Sequence, residues 1–230
     1  MTFYGSRKFT ILMLSMILLM VSRLAMLGRD SAQIVVDFFG IVLIAAAVVV
    51  LCESRKNRGV AFVLGFPPIG FIVASHLVPG YLSKSVYFIG RGMTALFLSF
   101  LVTVLIRAVL SARTVTWDTI IGAFCGYVLI AVVWGDLYCA AELASPGSFA
   151  MSAVSAEQFL NPDRRRQELE YFSFSTLSTL GYGDITPVSP VARALACFEA
   201  LIGQFYLAVL VAGLVGVHAS GKSGGQNLSS

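Results

Sequence analysis

Six stretches of this 230-residue chain are apolar over the length that a helix needs to cross a bilayer. They run approximately from Phe9 to Leu27, Ile34 to Cys52, Val60 to Val78, Val86 to Leu110, Trp117 to Ala141 and Pro190 to Val217. A hydrocarbon core of about 30 Å takes roughly 20 apolar residues as a helix. Lipid offers no partner to unpaired backbone, so all six are expected to be helices. With 57% apolar and only 12% charged residues, polar side chains are too few to cover a soluble globule. The expectation is an all-α integral membrane protein whose main partner is the lipid bilayer. The net charge of +4 does not point to nucleic acid, because the basic residues lie between apolar runs rather than in one patch.

Orientation follows from the short loops. Arg7 and Lys8, then Arg55, Lys56 and Arg58, then Arg107 and Arg113 all fall on one side, while Arg29 with Asp30 and Lys84 with Arg91 fall on the other. The more basic side is expected to be the cytoplasm of a cell membrane, which puts both termini there. The first span follows a basic start, but it is long and no small-x-small site follows it, so a retained helix is expected rather than a cleaved signal peptide. The four cysteines, Cys52, Cys125, Cys139 and Cys197, lie within or at the ends of apolar runs without metal-ligand spacing. Serines and acids form no nucleophile–base pattern, so neither enzyme chemistry nor a cofactor is expected.

The chemistry is concentrated between the fifth and last spans, in Thr179-Leu180-Gly181-Tyr182-Gly183-Asp184. A dehydrated cation needs rings of oxygen ligands, and backbone carbonyls supply them only where the chain is extended with alternating dihedrals. Gly181 and Gly183 accept positive φ at little steric cost, which lets successive carbonyls point to one side. Thr179 adds a hydroxyl oxygen, Tyr182 is expected to pack outward as a spacer, and Asp184 sits at the mouth. One such loop gives one carbonyl per ring, so enclosing an ion requires several copies about an axis.

This hexapeptide resembles the signature of the potassium channels, whose selectivity filter reads Thr-Val-Gly-Tyr-Gly, with leucine here in the second position. The resemblance extends upstream through Tyr171-Phe172-Ser173-Phe174-Ser175-Thr176-Leu177-Ser178, similar to the family's pore helix, and downstream to about Val217. It implies a homotetrameric channel with six transmembrane helices per subunit, a re-entrant pore helix over about Arg166 to Ser178, an ion-binding filter of Thr179, Leu180, Gly181, Tyr182 and Gly183, and potassium held by the backbone oxygens of Thr179, Leu180, Gly181 and Tyr182. Ser175, Thr176 and Asp184 are candidate filter supports. Glu199, deep in the last span, is expected to hydrogen-bond Ser175 or Thr176 from behind, the alternative being a neutral acid paired elsewhere in the bundle. Gly203 resembles the family's inner-helix hinge glycine, with close helix packing as the other reading. Gln204, Leu207, Val211 and Val215 then line the cavity by helical spacing, and the two valines are candidates for a hydrophobic gate.

The expected organisation is a four-helix transmembrane domain over residues 1–115, a pore domain over 116–218 and a Gly/Ser/Asn-rich disordered tail over 219–230, with no cytoplasmic ligand-binding domain expected. Arg91 and Arg107 mark the two ends of the fourth span with uncharged residues between them, so no voltage-sensor arginine ladder is present. Arg23 and Asp37 are expected to pair, as are Asp136 and Arg193. Pro67 and Pro68 should kink the third span, and Arg164-Arg165-Arg166 is expected in a solvated loop with a short ordered cap at most. A weakly selective cation channel, a potassium-uptake transporter subunit and a non-conducting adaptor remain as alternatives.

Overall fold

The structure is a computed structural model, described here for residues 8–25, 32–52, 54–77, 84–112, 116–152 and 159–223. In chain order its elements are α1 (Lys8–Ala25), α2 (Ala32–Cys52), α3 (Arg55–Leu77), α4 (Lys84–Leu110), α5 (Trp117–Ala144), β1 (Phe149–Met151), α6 (Pro162–Leu177), β2 (Ile185–Pro187) and α7 (Pro190–Ser223). Among the described residues, five helices, α2 to α5 and α7, are long and apolar enough to cross a membrane. The apolar run of α1, Phe9–Ser22, is shorter.

Helix starts follow local capping chemistry. Thr116 Oγ1 accepts the Thr119 N–H at 3.2 Å ahead of α5, Asn161 Oδ1 accepts the Arg164 N–H at 3.3 Å ahead of α6, and Ser189 Oγ accepts the Ala192 N–H at 3.2 Å ahead of α7. Each satisfies one of the donors that the first turn leaves open. In α6 and α7 the next residue is a proline, Pro162 or Pro190, whose missing N–H is no loss there.

The chain forms two compact units, divided after Gly126. In the first, α1 packs on α2, α2 on α3 and α3 on α4, with α2 also reaching α4. Leu12, Ala47, Leu51, Ala61, Phe97, Leu101 and Leu105 are buried, whereas Ile34, Val63, Phe66 and Leu96 are more than half exposed. Apolar side chains turned outward along long helices are what a lipid environment allows and water disfavours. Pro67 and Pro68 both lie inside the α3 helix. The expected Arg23–Asp37 pair involves a side chain outside the described residues.

The second unit, from Tyr127 onward, is built around an aromatic core. Tyr138, Phe149 and Phe172 meet edge to face with centroids 5.0 to 5.5 Å apart, the arrangement that ring quadrupoles favour. Leu169, Ile185 and Ala192 complete the buried cluster. The all-α expectation omitted a small antiparallel sheet: β1 and β2 pair with Phe149 opposite Pro187, Ala150 opposite Thr186 and Met151 opposite Ile185. Its strands, of three residues each, were too short for period-2 patterning to reveal. The turn before β1 is held by Glu142, whose buried carboxylate accepts the N–H groups of Gly147 at 2.8 Å and Phe149 at 3.2 Å.

Two further differences concern helix ends. Helix α6 begins at Pro162, so the arginine run is helical rather than loop, and Arg166 lies 3.4 Å from Asp136, the residue expected to contact Arg193. Arg193 instead donates to the Pro187 carbonyl at 3.2 Å. Helix α7 continues to Ser223, taking in part of the stretch expected to be disordered. Residues 224–230 lie outside the described residues.

Phe149 anchors β1 to the aromatic core. Phe149→Ala is expected to destabilise the protein by roughly 3–5 kcal/mol, the range for removing a buried aromatic ring, and Phe149→Leu by clearly less. Thermal unfolding in detergent checks both.

Candidate functional site

Directly after α6 the backbone leaves helical geometry and turns left-handed at every second residue. φ is +59° at Thr179, +58° at Gly181 and +79° at Gly183. Glycine adopts such values freely. Threonine does not: a β-branched residue there is strained by about 1–3 kcal/mol and persists only where its surroundings over-determine it.

Those surroundings come from the last turn of α6. The Ser175 carbonyl accepts the Leu180 N–H at 2.9 Å and the Gly181 N–H at 3.3 Å, and Ser175 Oγ lies 3.1 Å from the same Gly181 nitrogen. Thr176 contributes its carbonyl to the Thr179 N–H at 3.0 Å. Ser178 Oγ bonds back to the Phe174 carbonyl at 2.7 Å, the ordinary local habit of a helical serine. The N–H groups of Thr179, Leu180 and Gly181 are therefore tied to α6. The carbonyl side of the segment is not: among the described residues no hydrogen bond reaches the carbonyl oxygens of Thr179, Leu180, Gly181, Tyr182 or Gly183. The whole segment is exposed, with Leu180 at 56% and Tyr182 at 66%.

The far end is fixed by Asp184. Its Oδ2 accepts the Tyr171 hydroxyl at 2.8 Å, its Oδ1 accepts the Ile185 N–H at 3.1 Å, and its carbonyl accepts the Ser152 N–H at 3.0 Å and hydroxyl at 3.2 Å. The Tyr171 ring stacks on Tyr182, with centroids 6.4 Å apart and planes 8° from parallel. The hydrogen bond to Asp184 pushes the Tyr171 hydroxyl up to about 12.

Behind the segment lies Glu199 of α7, fully buried. Its partner on α6 is Ser173 rather than the expected Ser175 or Thr176, and its second partner is the Tyr138 hydroxyl of α5. The shift follows from helix phase: Ser173 is the α6 hydroxyl that faces Ala131 of α5 and Glu199 of α7, whereas Ser175 turns to the Gly181 N–H. Ser173 Oγ reaches the Ala131 carbonyl at 2.7 Å. One turn further along α7, Gly203 abuts the end of α6: a Cβ there would stand 2.3 Å from the Leu177 carbonyl oxygen. That oxygen accepts the Tyr127 hydroxyl at 3.0 Å. Gln204, Leu207 and Val211 are exposed on α7, and the Val215 side chain lies outside the described residues.

Sequence reasoning passed over Tyr138, Ser173, Tyr171 and Ser152. Tyr138 carried a usable signal, because a hydroxyl in an apolar span needs a partner and Glu199 needs a donor. Ser152 carried none, since its role comes from a strand pairing that only the folded chain defines.

Two expectations follow. Gly203→Ala is expected to lower stability by about 1–3 kcal/mol through overpacking against the Leu177 carbonyl, and Gly203→Val by more; thermal unfolding in detergent measures both. The raised Tyr171 value means that its contribution is complete below pH 10 and lost as pH rises through about 12. Stability measured against pH should fall across that window in the wild type and fall less in Tyr171→Phe.

A family model described as "Ion channel" matches residues 149–218, which spans β1, α6, the left-handed segment, β2 and most of α7. Among characterised relatives, "Two pore potassium channel c" of Oryza sativa subsp. japonica is 38% identical over 72 residues, covering 31% of this chain and 14% of the relative. "Inward rectifier potassium channel Kirbac3.1" of Paramagnetospirillum magnetotacticum is 32% identical over 101 residues, covering 42% of this chain and 28% of the relative. "Two-pore potassium channel 2" of Arabidopsis thaliana is 42% identical over 45 residues, covering 20% of this chain and 10% of the relative. The chain thus spans less than a third of the length of each. No solved structure matches. Residues 149–218 thus match an ion channel family, and the relatives similar to this chain are potassium channels.

Proposed function

We propose that this chain is one subunit of a potassium-selective channel that passes potassium passively across a cell membrane. The observation that carries the reading is the row of carbonyls from Thr179 to Gly183 that have no hydrogen-bond partner among the described residues, on a backbone whose left-handed turns alternate and whose Thr179, Leu180 and Gly181 N–H groups are held from α6. Carbonyl oxygens without protein partners in an apolar setting need a ligand that replaces water, and a dehydrated cation is that ligand. Potassium is bound by the backbone oxygens of Thr179, Leu180, Gly181, Tyr182 and Gly183, with the Thr179 hydroxyl below them.

One chain offers one oxygen per level, so several copies must surround the ion, and the resemblance to potassium channels makes them four, a homotetramer. Each subunit contributes six transmembrane helices, α1 included, with residues 1–115 as a four-helix domain and 116–218 as the pore domain. Both termini are cytoplasmic. Helix α6 is the pore helix, and the negative end of its dipole, at Leu177, favours a cation nearby. Ser175, Thr176, Asp184 and Glu199 support the filter. Gly203 is where α7 leaves the end of α6, so a bend there would swing the part of α7 that carries Gln204, Leu207, Val211 and Val215 along the permeation path.

The test is flux through purified, full-length protein in liposomes. Barium-blockable potassium flux is expected, with a reversal potential set by the potassium gradient in mixed sodium and potassium. Gly181→Val should abolish it, because a β-branched residue at φ +58° is strained. A reversal potential that follows sodium equally would replace selectivity with a weakly selective cation pore. No flux at all would overturn the channel reading.

A further inference from the structure

Three oxygen–oxygen contacts meet at Glu199. Ser173 Oγ contacts the Ala131 carbonyl at 2.7 Å, Ser173 Oγ contacts Glu199 Oε1, and the Tyr138 hydroxyl contacts Glu199 Oε2. Each needs one hydrogen between its two oxygens. A carbonyl can only accept, so the Ser173 hydrogen is taken by Ala131, and the Tyr138 hydrogen is taken by Glu199 Oε2. A serine hydroxyl has no second hydrogen for Oε1. The remaining contact is filled only if Glu199 carries a proton on Oε1 and donates it to Ser173.

We propose that Glu199 is a neutral carboxylic acid that donates to Ser173 while accepting from Tyr138, and that in this form it is the positioning residue that fixes α6 to α7. The surroundings agree with the count. The side chain is fully buried, its partners are two hydroxyls, and no ion pair to it is present among the described residues. A carboxylate there would carry an uncompensated charge in a low-dielectric site, whereas the acid is satisfied at both oxygens. The titratable neighbours are Tyr138 and Tyr127 of α5, neither of which is a cation.

The consequence for the filter lies in register. Glu199 and Gly203 are one turn apart on α7, and their contacts on α6, Ser173 and Leu177, are also one turn apart. Helix α7 thus grips α6 at two successive turns that bracket Ser175, the residue holding the Leu180 and Gly181 N–H groups. The position requires a side chain that both donates and accepts, not a charge. This rests on the channel reading for its effect on ions, but the location of the proton does not.

Infrared difference spectroscopy of the full-length protein in lipid, wild type minus Glu199→Gln at neutral pH, should show a protonated-carboxyl C=O stretch. Ser173→Ala should move that band to higher frequency by removing the acceptor. Carboxylate bands in place of the acid band would overturn the proposal whether or not the protein conducts. In liposomes, Glu199→Gln, whose amide also donates and accepts, should keep the potassium-to-sodium permeability ratio within about twofold. Glu199→Leu should lower it about tenfold, in keeping with a lost buried hydrogen-bond pair. Should Glu199→Leu fail to assemble, Ser173→Ala replaces it in the same measurement with the same direction expected. A ratio unchanged in both would overturn the positioning role. Absence of wild-type flux would instead sink the channel reading and leave the acid band to decide the proton's place.

Discussion

A peptide carbonyl with nothing to accept from is costly in a bilayer, by several kcal/mol for each group. The 179–183 segment presents five in succession among the described residues, and the rest of the second unit is arranged to keep it so. Ser175 and Thr176 take the N–H groups of Thr179, Leu180 and Gly181, while the carbonyl edge is left without partners among the described residues. Asp184, tied to Tyr171, Ser152 and its own neighbour's N–H, stops the far end from collapsing inward. The strained Thr179 conformation marks how firmly this geometry is imposed, since a β-branched residue left to itself would relax out of it.

Helix α7 divides its surface accordingly. Ala192, Glu199 and Gly203 turn inward to α5, α6 and the strands, and each is buried. Val191, Phe198, Leu201, Phe205 and Val209 lie on exposed faces, every one at least half accessible. Helix α5, by contrast, has half of its span buried within the chain. In the proposed assembly the bare faces of α7 meet lipid and the neighbouring subunits, which explains why a helix so central to the function is so sparsely packed within a single chain.

Much of this was legible in the residues because the strongest signals were local. Spans of about 20 apolar residues, two glycines framing Tyr182, and proline after a capping Asn161 or Ser189 each specify backbone by themselves. The burial of Glu199 against α6 was also foreseeable, because a carboxyl deep in a span has to face protein. What could not be read was pairing between distant positions: Ser173 rather than Ser175 as its partner, Arg166 rather than Arg193 beside Asp136, and the three-residue strands that join residues 149–151 to 185–187. Such choices depend on helix phase and register to within one residue, and a single sequence states neither. Thr179 was assigned for its hydroxyl, while its left-handed backbone went unforeseen because threonine disfavours it.

The β1–β2 pairing carries an implication for how this part of the chain can vary. Phe149 is buried and Ala150 exposed in β1, as Ile185 is buried and Thr186 exposed in β2. Adding or deleting one residue between Ser145 and Phe149 would turn the aromatic anchor outward and bring Ala150 into its place. The same slip would carry Ser152 away from the Asp184 carbonyl. A short turn is thereby locked in length.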